Sequence, residues 1–387
     1  MAGARMSSHD DRGLAARHKS ATGRHGPEVL IVGPYPPPLG GVSSHVQRAT
    51  LALRNAGYTV GVLNHFTSEI DNSPVVGTLR RNPVLYFLKL RKAHGPVVHY
   101  HHAGRLSLLL AAALARPKRD GRWLVTIHNH SLTRSLESSR SSRGLVRWAL
   151  GRFDQIVAVS PEIGKFLEDH GISTPIMVVP AYVPSRVRRA TVFADWAPTT
   201  FFERPGQTLV VAAYRVRCLH KRGDIYGLDV AARTFAALAG ERADLKLAIF
   251  LSHPPRGRRA RRYLRSVLDL IAPELHGRVG VWIGERLSPA FGPHVIYLRP
   301  TRTDGDSVSV REALESGVPV IASDCTARPH GVTTARLGDE HTWREILRTM
   351  LAGLDDQEAL GTEAAFPTSE STEAGGQDVL GLYELHL

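Results

Sequence analysis

Arg299–Asp324 reads RPTRTDGDSVSVREALESGVPVIASD, and its pattern decides the fold. The apolar run Val295–Leu298 just before it and Val318–Ala322 near its end read as short strands. Between them a helical pattern runs from about Val308 to Ser316. Strand, loop, helix and strand form the unit of a parallel sheet. The loop Arg299–Ser307 therefore follows a strand's carboxyl end, where open parallel sheets bind ligands. Gly305 permits an unusual backbone conformation, and Asp306 or Ser307 can cap the helix. The free amides of the first turn suit an anion such as a diphosphate. Glu312, eight residues after Asp304, is then placed to accept hydrogen bonds from ribose hydroxyls. The plainer alternative is an ordinary capped helix with a surface glutamate.

The same alternation spreads in both directions. Thr208–Ala212, Leu245–Leu251 and Gly280–Ile283 are further strand candidates, separated by helical segments around Gly227–Ala239 and Ala260–Ile271. An earlier series holds Glu28–Gly33, Tyr58–Leu63, Val97–His101, Leu124–His128, Gln155–Ser160 and Ile176–Pro180, with helical patterns at Val42–Ala56, Leu106–Ala115 and Pro161–His170. The expected fold class is α/β, two Rossmann-like doubly wound domains facing a cleft. Residues 1–26 read as a flexible tail, 27–185 as a first domain, 186–206 as a linker and 207–355 as a second domain. Residues 356–387 are a polar stretch and a terminal helix that can return to the first domain.

The 387 residues suffice for two cores, and Lys plus Arg exceed Asp plus Glu by 49 − 36 = 13. That excess suits an anionic partner: a nucleotide, an acidic membrane surface or nucleic acid. An aromatic-interleaved basic groove is not visible, which argues against nucleic acid. The two cysteines, Cys218 and Cys325, supply neither a disulfide framework nor a zinc spacing, as expected in a reducing cytoplasm. No secretory signal is evident, and the longest apolar run, Leu106–Ala115, is about half a membrane span. A cytoplasmic protein, meeting the inner membrane face peripherally if at all, is expected.

Other loops after strands carry chemistry too. GPYPPPLGGVSSHV lacks G-x-G-x-x-G, but places Gly40 and Gly41 before a helix N-terminus, where a ligand can approach the backbone; a simple tight turn is the alternative. His128-Asn129-His130 closes one strand, and His99, His101 and His102 lie at the end of the preceding one. Clustered imidazoles raise the question of a metal. No facial triad or H-x-x-x-H spacing appears, so none is expected. Arg215, Arg217, Lys221 and Arg222 form a basic loop suited to phosphate, or to water alone. The six arginines of Arg256–Arg265 sit on a helix away from any strand end and read as a solvated face, or a contact for acidic lipid.

Together GGVSSHV, LVTIHN, FDQIVAVSPEI with IMVVPAYV, and RPTRTDGDSVSVREALESGVPVIASD resemble the family 4 glycosyltransferases, retaining enzymes of the GT-B fold, over roughly residues 28–335. The resemblance implies transfer of a sugar from a nucleotide-diphosphate sugar to a glycan or lipid-linked acceptor, without metal or other cofactor. It places His128 beside the donor sugar, Gly40 and Gly41 at donor phosphate or acceptor, and Arg217 and Lys221 on the diphosphate. Gly305, Asp306 and Ser307 would face the donor, and Glu312 would hold the ribose. Asp304 falls where the family has a glutamate near the sugar hydroxyls and is one methylene shorter. Asp304-Gly305-Asp306 also mimics a D-x-D metal motif, which the Glu312 spacing outweighs. The alternatives are a nucleotide-sugar epimerase on the same scaffold and an inactive homologue acting as a binding protein.

Overall fold

The structure, a computed structural model, describes residues 26–37, 40–65, 75–78, 82–102, 104–115, 121–183, 196–216, 223–360 and 380–386. The first domain contains β1 (Val29–Gly33), α1 (Gly41–Asn55), β2 (Val60–Asn64), β3 (Val75–Thr78), α2 (Pro83–Leu90), β4 (Val97–His101) and α3 (Arg105–Ala115). It continues through β5 (Arg122–Ile127), α4 (Thr133–Glu137), α5 (Arg140–Leu150), β6 (Gln155–Ala158), α6 (Pro161–Asp169) and β7 (Ile176–Val178). Its seven strands are parallel, in the order β3-β2-β1-β4-β5-β6-β7.

Every residue of β1 is buried, because a parallel strand covered by helices on both faces has no wet side. Alternate side chains divide between two cores. Leu30, Val32, Val98, Tyr100 and Val125 pack on the face covered by α3 and α5. Val29, Ile31, Val97 and Leu124 pack on the other face, with Val46 and Leu53 of α1. Each such fully buried aliphatic contributes about 1.5–3 kcal/mol. His99 and His101 replace apolar residues on this second face, at the carboxyl end of β4.

The second domain is built from α7 (Thr199–Phe202), β8 (Thr208–Ala213), α8 (Leu228–Ala239), β9 (Lys246–Leu251), α9 (Gly257–Leu268), β10 (Val279–Ile283), β11 (Val295–Arg299), α10 (Val308–Glu315), β12 (Val320–Ser323), β13 (Val332–Ala335) and α11 (Glu340–Leu360). Six parallel strands follow the order β10-β9-β8-β11-β12-β13. In both sheets the winding reverses beside the first strand, at β1/β4 and at β8/β11. These are the crevices where a doubly wound fold takes its ligand.

Several details differ from the sequence reading. Residues 196–206 are no free spacer: Phe201 is buried, and Trp196 donates from its indole nitrogen to the Arg286 carbonyl at 3.0 Å and stacks on Phe250. Aromatic burial draws this stretch onto the second sheet. Helix α11 runs five residues past the boundary expected at 355. The edge strands β3 and β13, and helix α5, are additional. Residues 380–384 are helical and bring Leu382 and Tyr383 into the first domain's second core. The flexible-tail reading of residues 1–25 and the polar stretch 361–379 lie outside the described residues.

Candidate functional site

The two domains meet along the loops at their switch points. Gly40, the cap of α1, lies so close to the second domain that a Cβ there would stand 2.7 Å from the Tyr214 ring. Gly41 is open, with nothing within 4 Å of the same position. A Cβ on Gly305 would stand 2.5 Å from the carbonyl oxygen of His128. Gly305 is not in the left-handed region, so the need for glycine there is space rather than backbone freedom. It lets the loop before α10 touch the histidine strand end directly.

The first wall of this junction is a set of buried imidazoles. His101 at the end of β4 and His128 just after β5 share a hydrogen bond between Nδ1 and Nε2 at 2.9 Å, and their rings stack with centroids 5.2 Å apart. His45, on α1, packs against both rings, and its Nδ1 donates to the Ala181 carbonyl. His99 is held by Thr126 at 2.6 Å and Tyr383 at 2.5 Å. Burial removes the hydration a cation needs and pulls His45 down to about 4 and His99 to about 3. His101 and His128 lie well below their ordinary value for the same reason, with neighbouring imidazoles adding to it. At neutral pH this wall is uncharged, and each ring carries one donor and one acceptor nitrogen.

His45, His101 and His128 can each present one nitrogen, all within 4.8 Å of one another, so they are a set of described residues able to hold a metal ion. The sequence showed no such triad because its members come from α1, β4 and the end of β5. The Nε2 of His101 is buried without a partner among the described residues.

The second wall is charged and paired. Asp304 was expected near the sugar hydroxyls, yet both its oxygens are taken up within its own domain. Arg299 grips them at 2.9 and 3.0 Å, Arg328 adds a bond at 2.9 Å, and the Thr301 hydroxyl and the Gly305 amide complete the set. Burial works to raise the Asp304 pKa, but Arg299 and Arg328 outweigh it and hold the carboxyl below its usual range. Asp304 thus anchors the loop that carries Gly305. Its shorter reach suits an arginine fork inside the domain better than a ligand outside it.

Asp306 and Ser307 were expected to face the donor or cap α10. The Asp306 carboxylate instead accepts from the Ala181 amide at 2.9 Å and from Arg311 at 2.6 Å. Ser307 occupies the cap position of α10 but makes no side-chain cap bond, and neither does Gly40 on α1. Two helix N-termini therefore border the junction without a side chain on their first-turn amides, the arrangement that favours an anion. Glu312 lies farther along α10, and its one charged partner among the described residues is Arg48 of α1, at 2.6 Å. Burial raises the Glu312 pKa, and Arg48 opposes the rise.

The basic loop after β8 is only partly described. Arg217, Lys221 and Arg222 lie outside the described residues. Arg215 lies over the Tyr214 ring at 5.0 Å, next to the Gly40 contact. Arg48, Arg299, Arg328 and His45 were not singled out from the sequence. Arg48, Arg328 and His45 gain their meaning from partners far along the chain, and Arg299 from Asp304 five residues on.

Two parallel doubly wound sheets that meet at their switch points define the GT-B class. Residues 39–185 match the model of Glycosyltransferase Family 4. A search of curated protein sequences finds no match. Among solved structures, sucrose-phosphate synthase from Thermosynechococcus elongatus is similar at 16% identity and a TM-score of 0.64, over 92% of this chain and 98% of that one. WaaG, a glycosyltransferase involved in lipopolysaccharide biosynthesis, is similar at 13% identity and a TM-score of 0.59, over 92% and 95%. A UDP-GlcNAc 2-epimerase from Neisseria meningitidis is similar at 14% identity and a TM-score of 0.56, over 91% and 99%. At these identities the likeness is one of fold. No helix among the described residues is long and apolar enough to cross a membrane.

Proposed function

We propose that this glycosyltransferase moves a sugar from a nucleoside-diphosphate sugar to a glycan or lipid-linked acceptor, with retention at the anomeric carbon and without a metal. The observation that carries the reading is the uncapped N-terminus of α10 with Glu312 behind it, set against His128 across Gly305. The α10 amides take the diphosphate, and Glu312 takes the ribose. As the bond to the leaving oxygen breaks, negative charge grows on the diphosphate, where a fixed helix N-terminus and nearby cations stabilise it. The same diphosphate accepts the proton of the attacking hydroxyl, which therefore arrives on the face the leaving group vacates. Neutral His128 gives or accepts a hydrogen bond at a sugar hydroxyl without placing a charge there.

Helix α2 supports an acceptor carried at an anionic membrane surface. Val84 and Leu88 are 65% and 47% exposed, and Lys89, Arg91 and Lys92 follow directly. The engagement of Asp304 by two arginines favours a second reading, a homologue that binds donor without transferring it. A thermal-shift screen of UDP, GDP and their sugars, followed by product analysis with and without acceptor glycans, separates the two. The first reading expects a new glycoside whose anomeric configuration matches the donor's. A sugar epimerised without acceptor, or binding with no product, contradicts it.

A further inference from the structure

Glu312 stands on the second domain, but the cation that meets it comes from the first. Arg48 projects from α1, and its Nη2 donates to Glu312 Oε1 at 2.6 Å while Nη1 donates to the Val183 carbonyl at 3.0 Å. Its guanidinium lies 4.9 Å from the centre of the Tyr182 ring. The two side chains are only 17% and 15% exposed, so this is a largely desolvated pair across a domain junction. Arg48 engages Oε1 alone, so with respect to the described residues Oε2 can take a second donor such as a hydroxyl.

The other ionisable groups here are engaged elsewhere. Arg311 pairs with Asp306, whose other oxygen accepts from the Ala181 amide, and the Tyr182 hydroxyl donates to Glu315. These contacts tie segment 181–183 to α10, and Arg48 alone among them ends on the carboxylate assigned to the ribose. A half-buried carboxylate without a cation would rather be protonated than charged, and a protonated carboxyl is a poorer acceptor for a hydroxyl.

We propose that Arg48 is a positioning residue for the nucleotide: from the first domain it holds the Glu312 carboxylate of the second in the state and orientation that ribose hydroxyls require. Nucleotide affinity then depends on the domain contact itself. The inference rests on the assignment of Glu312 to the ribose.

Calorimetric binding of UDP and GDP to the full chain, from pH 6 to pH 9, tests it. Wild type, Arg48→Met, Arg48→Lys and Glu312→Ala are compared, each as a ratio to wild type at the same pH, which cancels ligand ionisation. Arg48→Met is expected to bind about tenfold more weakly at pH 6 and to regain most of the loss by pH 9, as Glu312 ionises unaided. Arg48→Lys, which keeps the charge, recovers part of the affinity at every pH and also serves if the methionine variant does not fold. Wild-type affinity in Arg48→Met, tighter binding, or a loss equal at every pH would overturn the inference while leaving Glu312 in place. If Glu312→Ala binds as wild type does, the ribose assignment itself fails.

Discussion

The two walls of the junction are tuned in opposite ways. On the first domain, four histidines are buried together with hydrogen bonds but no carboxylate partner, and burial makes them neutral. On the second, Asp304, Asp306 and Glu312 are largely but less completely buried, and each has an arginine: Arg299 with Arg328, Arg311, and Arg48. A wall of uncharged donors and acceptors suits sugar hydroxyls. A wall of fixed charge and helix amides suits a ribose diphosphate. Burial is common to both walls and its compensation is not, which is why the proposed reading gives the sugar to one wall and the nucleotide to the other.

The largest effect should separate the walls. His128→Ala is expected to lower transfer by about 100-fold, the usual loss of one positioned hydrogen-bonding group in a transition state, and to leave nucleoside-diphosphate affinity near wild type. Equal loss of both would mean that His128 belongs to the nucleotide wall as well.

Acid should damage the first wall before the second. The unfolded chain's histidines take up protons near pH 6.5, whereas native His45 holds out to about 4 and His99 to about 3. Stability contributed by these rings is therefore full above about pH 6.5 and is lost as pH falls towards 4. Glu312 and Asp306, raised by burial, work in the other direction and offset part of the loss. Urea melts from pH 7.5 to 4.5 should show falling stability, with a shallower slope in His45→Gln. An unchanged slope would sink the assignment of neutral burial to His45.

Gly305→Ala tests the point where the walls touch. The added methyl meets the His128 carbonyl, and a backbone neighbour cannot swing aside as a side chain can. Overpacking of about 1–3 kcal/mol is expected in urea melts, with transfer lost beyond what stability explains. Smallest of all is the response to chelation. Incubation with EDTA should leave transfer unchanged, and a loss restored by one equivalent of zinc would give the His45, His101 and His128 triad a role the proposed mechanism lacks.

Much of the fold is legible because β1, β8 and β9 are covered on both faces and so run largely apolar. The edge strands are not. Val75–Thr78 contains a glycine, and Val332–Ala335 has two exposed threonines, so neither carries a buried-strand signal. At the site, Glu312 and the α10 N-terminus could be read from spacing, since both lie within one strand-loop-helix unit. Arg48 could not, because its partner is 264 positions away. Asp304 shows the converse. Its place in the motif is plain, but its grip on Arg328 is set by a loop after β12 that no local pattern announces.

The central claim is that the α10 wall binds the nucleotide end of the donor. Calorimetric titration of UDP and GDP into wild type and Glu312→Ala at pH 7.5 tests it most directly. The account predicts saturable binding of at least one of them to wild type, weakened on the order of 10- to 100-fold in the variant with the fold intact, as loss of a charged hydrogen-bond acceptor implies. Equal affinity in the two proteins would contradict it.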